Sequence, residues 1–379
     1  MSLYLRRLVL SDFRNYRRLV WEPEASCVVL TGGNGSGKTN LLEAVSLLVP
    51  GRGLRAARAD DLPRRDAGVS ASSWGVVASV DFGPQGGLAD LSTGVAPGAD
   101  RSREFRIDGQ AARPRSAVAD LLSAVWLTPQ MDRLFTESPG GRRRFLDRLV
   151  VALVPHHARA MAAAERAMRQ RNRLLQMRSG EGAWLSGLEE EFARHTIAIV
   201  AARMELIARL NTGAAGMTGG FPPAHLVLSC AVAEQLARMP ALAAEDWLQA
   251  RLARSRAEDA VRGQTGTGAH RADIAFQDME TGRDGALSST GQQKALLIGI
   301  VLAHAGLIGR ERGHPPVLLL DEPLVHLDRG RREMLLQALA GLPTTVLMTG
   351  TDRAPFDALE GRASFVTLAD GSVKKPDGP

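Results

Sequence analysis

A glycine-rich octapeptide near the N-terminus is the feature that most limits how this chain can fold. An apolar run over residues 27–30 precedes it, and a helical pattern over residues 38–48 follows it. A strand, a glycine loop and a helix in this order direct backbone N–H groups and a helix N-terminus towards phosphate oxygens. The octapeptide satisfies the P-loop pattern G-x-x-x-x-G-K-[ST] with Gly32, Gly33, Asn34, Gly35, Ser36, Gly37, Lys38 and Thr39.

Two side chains of this loop have predicted roles in phosphate chemistry. Lys38 is expected to reach the β- and γ-phosphates of a nucleotide, and Thr39 to offer its hydroxyl to Mg²⁺. The alternative is a chance glycine-rich turn before a helix. The strand pattern before the loop and the helix pattern after it favour the phosphate-binding interpretation.

A second motif lies at the end of an apolar strand pattern over residues 317–320. The next two residues are Asp321 and Glu322. Asp321 is predicted to hold Mg²⁺, directly or through water, and Glu322 to orient or deprotonate an attacking water. Carboxylates after a strand also cap the helices that follow, so this motif alone is weak evidence for a magnesium site. The P-loop far upstream makes the magnesium interpretation strong.

A third motif, S-x-G-Q, precedes the helical pattern that begins near residue 295. Its predicted nucleotide-binding residues are Ser289, Gly291 and Gln292. It matches the ABC signature, whose hydroxyl, glycine backbone and helix N-terminus contact ATP held by the other subunit of a dimer. A simple helix N-cap at Ser289 is an alternative that is compatible with this role.

Two further residues are weaker candidates. Gln130 lies where ABC-type ATPases carry a glutamine that senses Mg²⁺, although a lone glutamine is commonly a surface residue. Asp328 resembles the acidic residue that crosses the dimer interface, and its alternative role is a helix N-cap. No histidine follows the strand pattern at residues 345–348, where transport ATPases place one, so Thr351 or Asp352 is the candidate substitute.

The order of the elements predicts a discontinuous architecture. Strand patterns lie near both ends of the chain, and the middle is rich in helix-forming residues. We therefore expect an α/β fold, an ABC/SMC-type ATPase head with a mixed sheet lobe built from both termini and an inserted, mainly helical lobe. The predicted bounds are residues 1–115 and 295–379 for the sheet lobe and 116–294 for the helical lobe, which ends in the signature motif.

Shorter patterns give local expectations. We expect hairpins near residues 12–15 and 364–373, strands over residues 75–82 and 104–107, and a helical hairpin broken at residues 179–182. A glycine-rich linker is expected over residues 212–220.

Composition narrows the class of protein. Two cysteines without metal-ligand spacing predict neither a disulfide framework nor a zinc site. The first residues lack a signal-peptide layout, and the apolar run at 295–309 is shorter than the ~20 residues that span a bilayer. We expect a cytoplasmic protein without a membrane partner.

The charge of the chain permits a polyanionic partner. The formal net charge is +6, and arginines cluster at residues 52–65, 142–148 and 166–178. Arginines three to four positions apart on a helix form one stripe that suits phosphate contacts. A solvated helix face is the alternative for each cluster.

The motifs together resemble the RecF family. Asn40 and the helix after it match the P-loop region of that family, and the resemblance adds Asn40 to the expected nucleotide contacts. Ala269 and Ala272 stand where the family has proline and aspartate. The matches follow the same order along the chain, at residues 12–16, 33–44, 138–139, 142–147, 268–273, 289–294 and 349–352.

The resemblance implies a function that spacing alone does not give. It implies an ATP- and Mg²⁺-dependent homodimer that binds double-stranded DNA or gap junctions in DNA replication, DNA-damage repair and the SOS response. It also implies RecR and RecO as partners, and through them RecA loading. The alternative is the nucleotide-binding subunit of a membrane transporter, which predicts a switch histidine, an LSGGQ-like signature and a shorter chain.

Overall fold

The computed structural model describes residues 2–66, 69–84, 86–98, 103–113, 116–177, 182–213, 219–369 and 371–374. Packing divides the chain into two units, here called the sheet unit and the helical unit. The sheet unit comprises Met1–Asp132, Gly216–Pro222 and Ser289–Pro379. The helical unit comprises Arg133–Ala215 and Pro223–Ser288.

The strands are, in chain order, β1 (Tyr4–Phe13), β2 (Tyr16–Trp21), β3 (Cys27–Thr31), β4 (Arg65–Asp66), β5 (Val69–Ser70), β6 (Trp74–Asp81), β7 (Leu88–Val95), β8 (Glu104–Ile107), β9 (Gln110–Ala111), β10 (Ala124–Leu127), β11 (Ala224–Ser229), β12 (Asp273–Asp278), β13 (Val317–Leu320), β14 (Val346–Thr349), β15 (Ser364–Ala369) and β16 (Ser372–Lys374). The helices are α1 (Lys38–Ser46), α2 (Ser116–Leu121), α3 (Pro139–Leu153), α4 (His157–Met177), α5 (Gly182–Gly213), α6 (Ala231–Leu236), α7 (Ala241–Arg254), α8 (Arg256–Arg262), α9 (Thr290–Arg312) and α10 (Arg329–Ala340).

Two large sheets form the sheet unit. The first is antiparallel, with strand order β2-β1-β6-β7-β8-β9. Buried and more exposed residues alternate along β6, as expected when one face of a sheet packs on a core. The second sheet has strand order β10-β13-β14-β3-β15-β16 and is parallel except for the pairing of β15 with β16. Every residue of β3, β13 and β14 is buried, the pattern of parallel strands covered on both faces.

The unit boundaries differ from the predicted ones at 115/116 and 294/295. The structure places β10 in the sheet unit because β10 pairs in parallel with β13. Helix α9 is continuous from Thr290, so the signature motif begins a segment of the sheet unit and does not end the helical unit.

Both predicted hairpins form. The first turn contains Arg14 between β1 and β2, with a φ of 53°, and Gly371 joins β15 to β16 with a φ of 70°. The predicted strands at 75–82 and 104–107 correspond to β6 and β8. Most of the predicted helical break, residues 178–181, and part of the predicted linker, residues 214–218, lie outside the described residues.

The helical unit has a core of alanines and large apolar residues. Helix α4 packs along α5, and α5 contacts α7. Core members include Ala167, Phe192, Val200 and Leu248.

The two departures from the RecF pattern lie within the helical unit. Ala269 and Ala272 are buried, and each contributes its backbone carbonyl to an arginine. Ala269 O accepts from Arg203 at 2.7 Å, and Ala272 O accepts from Arg143 at 2.6 Å. These contacts need no particular side chain at either position.

One arginine ties several helices of this unit together. Arg171 of α4 is fully buried and donates to Glu189 of α5 at 2.9 Å and to Asp259 of α8 at 2.8 Å. It also donates to the carbonyl of Leu252 of α7, at 2.8 Å. Asp259 therefore forms its ion pair with Arg171, whereas Glu189 also pairs with Arg256 at 2.6 Å.

Helix α9 passes a composition test for a membrane span. Within the described residues, it is the one helix long and apolar enough to cross a bilayer, and 83% of its apolar window is buried inside the structure. Burial of this extent is the pattern of a core helix, and α9 extends the predicted apolar run at both ends.

Replacing Arg171 with methionine should destabilise the protein by about 3–5 kcal/mol, because Asp259 would keep a buried charge without its arginine and Glu189 would lose one of its two arginine partners. Arg169→Ala on the same helix removes only an exposed pair with Glu165 and should cost less than about 1 kcal/mol. Urea denaturation followed by circular dichroism measures both. Equal losses of stability in the two variants would show that the buried network does not stabilise the helical unit.

Candidate nucleotide-binding site

Three neighbouring strands of the parallel sheet end at the candidate site. Strand β14 lies between β3 and β13 and runs parallel to both. Their carboxyl ends therefore meet at one edge, the usual position of ligand sites in parallel sheets. The P-loop follows β3, Asp321 follows β13, and Thr349 ends β14.

The P-loop turns around the ammonium group of Lys38. Lys38 Nζ donates to the carbonyls of Gly32 at 2.5 Å and Gly33 at 2.9 Å. Gly32 and Gly37 have φ angles of 139° and 106°, which side-chain-bearing residues rarely adopt. A Cβ at Gly37 would also lie 2.5 Å from the hydroxyl of Tyr16. Helix α1 begins at Lys38, so its N-terminus faces the loop as predicted.

The carboxylate of Asp321 forms hydrogen bonds with the P-loop after β3 and with the end of β14. Asp321 Oδ1 accepts from Thr39 Oγ1 at 3.0 Å and from Thr349 Oγ1 at 2.8 Å. A hydroxyl and a carboxylate side by side are the hard oxygen ligands that Mg²⁺ prefers. The described residues contain no cluster of three or more His, Cys, Asp or Glu side chains able to hold a metal. A cation here would therefore complete its coordination with water or phosphate oxygens.

Glu322 is held in an unusual backbone conformation. Its φ is 48°, in the left-handed region that non-glycine residues seldom adopt. Its N–H donates to Thr349 Oγ1 at 2.9 Å. The Thr349 hydroxyl thus bridges Asp321 and Glu322, and Thr349 is fully buried. Strain of this kind persists where surrounding contacts fix the chain, commonly at functional sites.

The first hairpin holds the P-loop from outside. Tyr16 donates its hydroxyl to the carbonyl of Gly37 at 3.0 Å, and burial raises the pKa of Tyr16, so the hydroxyl stays protonated. Asn40, a predicted nucleotide contact, donates to Asn15 in the turn of the hairpin at 2.7 Å. In the sequence, only the family resemblance indicates that residues 12–16 matter.

An ion pair fixes the same hairpin to helix α1. Arg14 makes two bonds of 2.8 Å to the fully buried carboxylate of Glu43. Planar bidentate pairs of this kind are geometrically specific. No short-range pattern in the sequence pairs these two residues.

Both helix-cap alternatives are present in the structure. Ser289 and Gln292 form a reciprocal capping box at the start of α9. Asp328 caps α10 by accepting from Arg331 N at 2.9 Å. A Cβ at Gly291 would lie 2.9 Å from the carbonyl of His326, so the glycine permits close contact between the two motifs. Caps of this type leave helix N-termini ordered and do not conflict with phosphate binding.

The remaining predicted residues lie at the same edge or in the loop. Gln130 is exposed in the short helix Pro129–Arg133 that follows β10, the neighbour of β13. Asn34 and Gly35 form the exposed tip of the P-loop. Ser36 Oγ is buried and has no hydrogen-bond partner among the described residues, a polar atom suited to a bound ligand.

Comparison with known proteins connects this site to a family. The RecF/RecN/SMC N terminal domain family matches residues 4–350. DNA replication and repair protein RecF of Rhizobium johnstonii is 46% identical over 97% of this chain and 98% of its own length. The protein of the same name from Rhizobium meliloti is 46% identical over 98% and 99%. The chain belongs to the RecF family.

Solved structures agree with this assignment. A structure of the recombination mediator protein RecF-ATPrS in the RecFOR pathway has a TM-score of 0.86 at 21% identity and covers 99% of both chains. The Smc head domain of Pyrococcus furiosus has a TM-score of 0.51 at 16% identity, covering 98% of this chain and 95% of its own. The predicted ABC/SMC-type head fold and the RecF resemblance are confirmed.

Replacing Thr349 with valine should release the Glu322 N–H, because valine keeps the shape of threonine and lacks the hydroxyl. Hydrogen–deuterium exchange of the peptide that follows β13 should become roughly two- to tenfold faster, the effect of removing one hydrogen bond. Thr349→Ser keeps the hydroxyl and should preserve the wild-type exchange rate. Faster exchange in the serine variant as well would mean that the bridge does not protect Glu322.

Proposed function

We propose that this RecF-family chain is an ATP-binding recombination mediator that acts on DNA in replication and repair. The observation that carries the proposal is the convergence of the P-loop, Asp321 and Glu322 at one sheet edge in a chain of this family. Its relatives are named DNA replication and repair protein RecF, and solved relatives are recombination mediators of the RecFOR pathway.

The donor groups fit a nucleoside triphosphate with Mg²⁺. An ammonium has three N–H bonds, and loop carbonyls take two of those on Lys38. The orphan hydroxyl of Ser36 and the N–H groups at the start of α1 suit phosphate oxygens. Thr39 and Asp321 would hold Mg²⁺, with Gln130 as a further candidate from the next strand end. Bound Mg²⁺ would neutralise charge on the phosphates.

ATP hydrolysis is the reaction that this arrangement favours. Lys38 binds the phosphates, and Glu322 orients or deprotonates the attacking water. Thr349 fixes the backbone of Glu322 and the carboxylate of Asp321 with one hydroxyl. Thr349, the last residue of β14, is thus part of the site, although no switch histidine follows this strand. Thr351 and Asp352, the candidate substitutes for that histidine, are exposed and hydrogen-bond to each other.

A homodimer would complete each site. Ser289 and Gly291 lie at the exposed N-terminus of α9, where a helix end can meet the phosphates of a second copy. Asp328 lies at the start of α10. It is close to the signature motif, because Gly291 of that motif lies against the carbonyl of His326. ATP would then join two copies, and hydrolysis through Glu322 would release them.

DNA contacts are best supported on helix α4. Arg166, Arg169 and Arg173 are exposed at spacings of three and four, which places them on one helix face. Arg171 faces the core, and the arginines near the start of α3 bond Asp273 and the carbonyl of Ala272. We propose that double-stranded DNA or a gap junction contacts the α4 stripe.

Membership of the RecF family also supports the proposed partners, outcome and localisation. RecO and RecR are the proposed partners, with RecA loading onto single-stranded gaps as the outcome, in the cytoplasm. A transporter subunit is disfavoured because relatives named RecF match nearly the whole chain.

Lys38→Ala should lose ATP-dependent dimerisation, whereas Glu322→Gln should bind ATP and accumulate as a dimer because the attacking water is no longer activated. Analytical sedimentation with ATP and Mg²⁺ measures both. Glu333→Gln, an exposed carboxylate on α10, is the matched control and should sediment like the wild type. A Glu322→Gln protein that stays monomeric with saturating ATP would contradict the dimer mechanism.

Charge reversal of Arg166 and Arg173 should weaken binding to a gapped duplex and flatten its salt dependence. The slope of log K against log salt should become shallower by roughly 0.9 for each phosphate that these arginines no longer neutralise. Arg238→Glu with Arg254→Glu makes the same charge change at exposed positions, in the turn after α6 and at the end of α7. A salt slope equal to that of the wild type would show that DNA does not contact these arginines of α4.

A further inference from the structure

A pocket in the sheet unit lies outside the nucleotide site. Its volume is about 380 Å³, and it opens beside the loop that follows α1. Leu47, just after α1, lies nine residues beyond Lys38. At 1.5 Å per residue, the helix separates this pocket from the P-loop by roughly 13 Å.

The floor of the pocket is apolar. Leu47, Leu62, Trp74 and Phe105 line it, and all four are at most 5% exposed. Pro50, Ala57 and Ala59 also line the pocket and are more exposed than the floor, and their short side chains leave room for an inserted group. The floor therefore suits an aliphatic or aromatic group.

The rim of the pocket is basic. Arg52 and Arg58 are exposed, and Arg103 donates to the carbonyl of Gly51 at 2.7 Å. Among the described residues that line the pocket, none is a carboxylate. Three guanidinium groups around an apolar floor are complementary to an acidic ligand with an apolar group.

Left-handed turns shape the loop, and hydrogen bonds hold it. Gly51 and Gly53 have φ angles of 136° and 69°, and Ala56 has a φ of 51° although it carries a side chain. The N–H of Leu54 donates to the buried hydroxyl of Ser46 at 2.7 Å, which ties the loop to α1. This bond and the bond from Arg103 to Gly51 hold part of the rim in place before a ligand binds, which lowers the cost of ordering it.

We propose that this pocket binds an acidic peptide segment of a partner protein, with one apolar side chain inserted between the arginines. The aromatic side chains of the floor favour a peptide over single-stranded nucleic acid. Bases bind such sites by stacking on exposed aromatic faces. Trp74 is 5% exposed and packs against Phe13, and the guanidinium of Arg103 covers the ring of Phe105 at 4.5 Å.

Fluorescence anisotropy of a labelled peptide tests the proposal with the full-length protein. The probe is a short Asp- and Glu-rich peptide with one central phenylalanine, and a second probe carries serine in its place. The phenylalanine probe should bind, and its affinity should fall about tenfold in Arg58→Glu. Arg18→Glu makes the same charge change at an exposed position on β2 and should leave the affinity within about twofold.

A second variant tests the role of the cavity without changing the charge of its rim. Ala59→Trp fills the opening at an exposed position without altering any arginine, and it should abolish binding of the phenylalanine probe. Equal binding of both probes, or normal binding to Ala59→Trp, would show that only surface charge attracts the peptide. An oligothymidylate that displaces the probe from the wild type and fails to bind Ala59→Trp would assign the pocket to nucleic acid. Absence of probe binding to the wild type would also overturn the proposal.

Discussion

The carboxylate of Asp321 holds together parts of the chain that are far apart in sequence. It accepts hydrogen bonds from Thr39, 282 positions away, and from Thr349, 28 positions away. These bonds are possible only because β3, β14 and β13 are neighbours and end at the same sheet edge. The discontinuous sheet unit, the loop geometry and the position of Glu322 all depend on this strand order.

The parts of the site that could be predicted from the sequence are those whose chemistry demands local residues. A P-loop needs glycines, a lysine and a following helix in one short segment, and Asp321 follows a strand that is apolar throughout. The contributions of Thr349 and Tyr16 could not be predicted in this way. Each hydroxyl acts on an atom of a distant segment, so its role exists only once the strands are paired.

Similar reasoning explains why the unit bounds in the structure differ from the predicted ones. Composition indicates a boundary near residue 115 because helix-forming residues become common there, whereas β10 belongs to the sheet through its pairing with β13. The arginines of α4 are alike in sequence, yet Arg171 neutralises two buried carboxylates and its neighbours face solvent. Strand β7 is not predicted because its Ala, Asp, Ser and Gly residues have weak strand propensity and gain their order from β6 and β8.

The strand order also decides when each part of the protein can fold during synthesis. The antiparallel sheet uses strands from the first third of the chain and can pair as soon as they leave the ribosome. Strand β3 is made at the same time, but its partners β14 and β15 are among the last segments translated. A strand that is fully buried in the folded protein therefore waits unpaired while the whole helical unit is made, a period in which exposed edges promote aggregation. Translation speed and chaperone access thus bear on the yield of active protein, independently of its final stability.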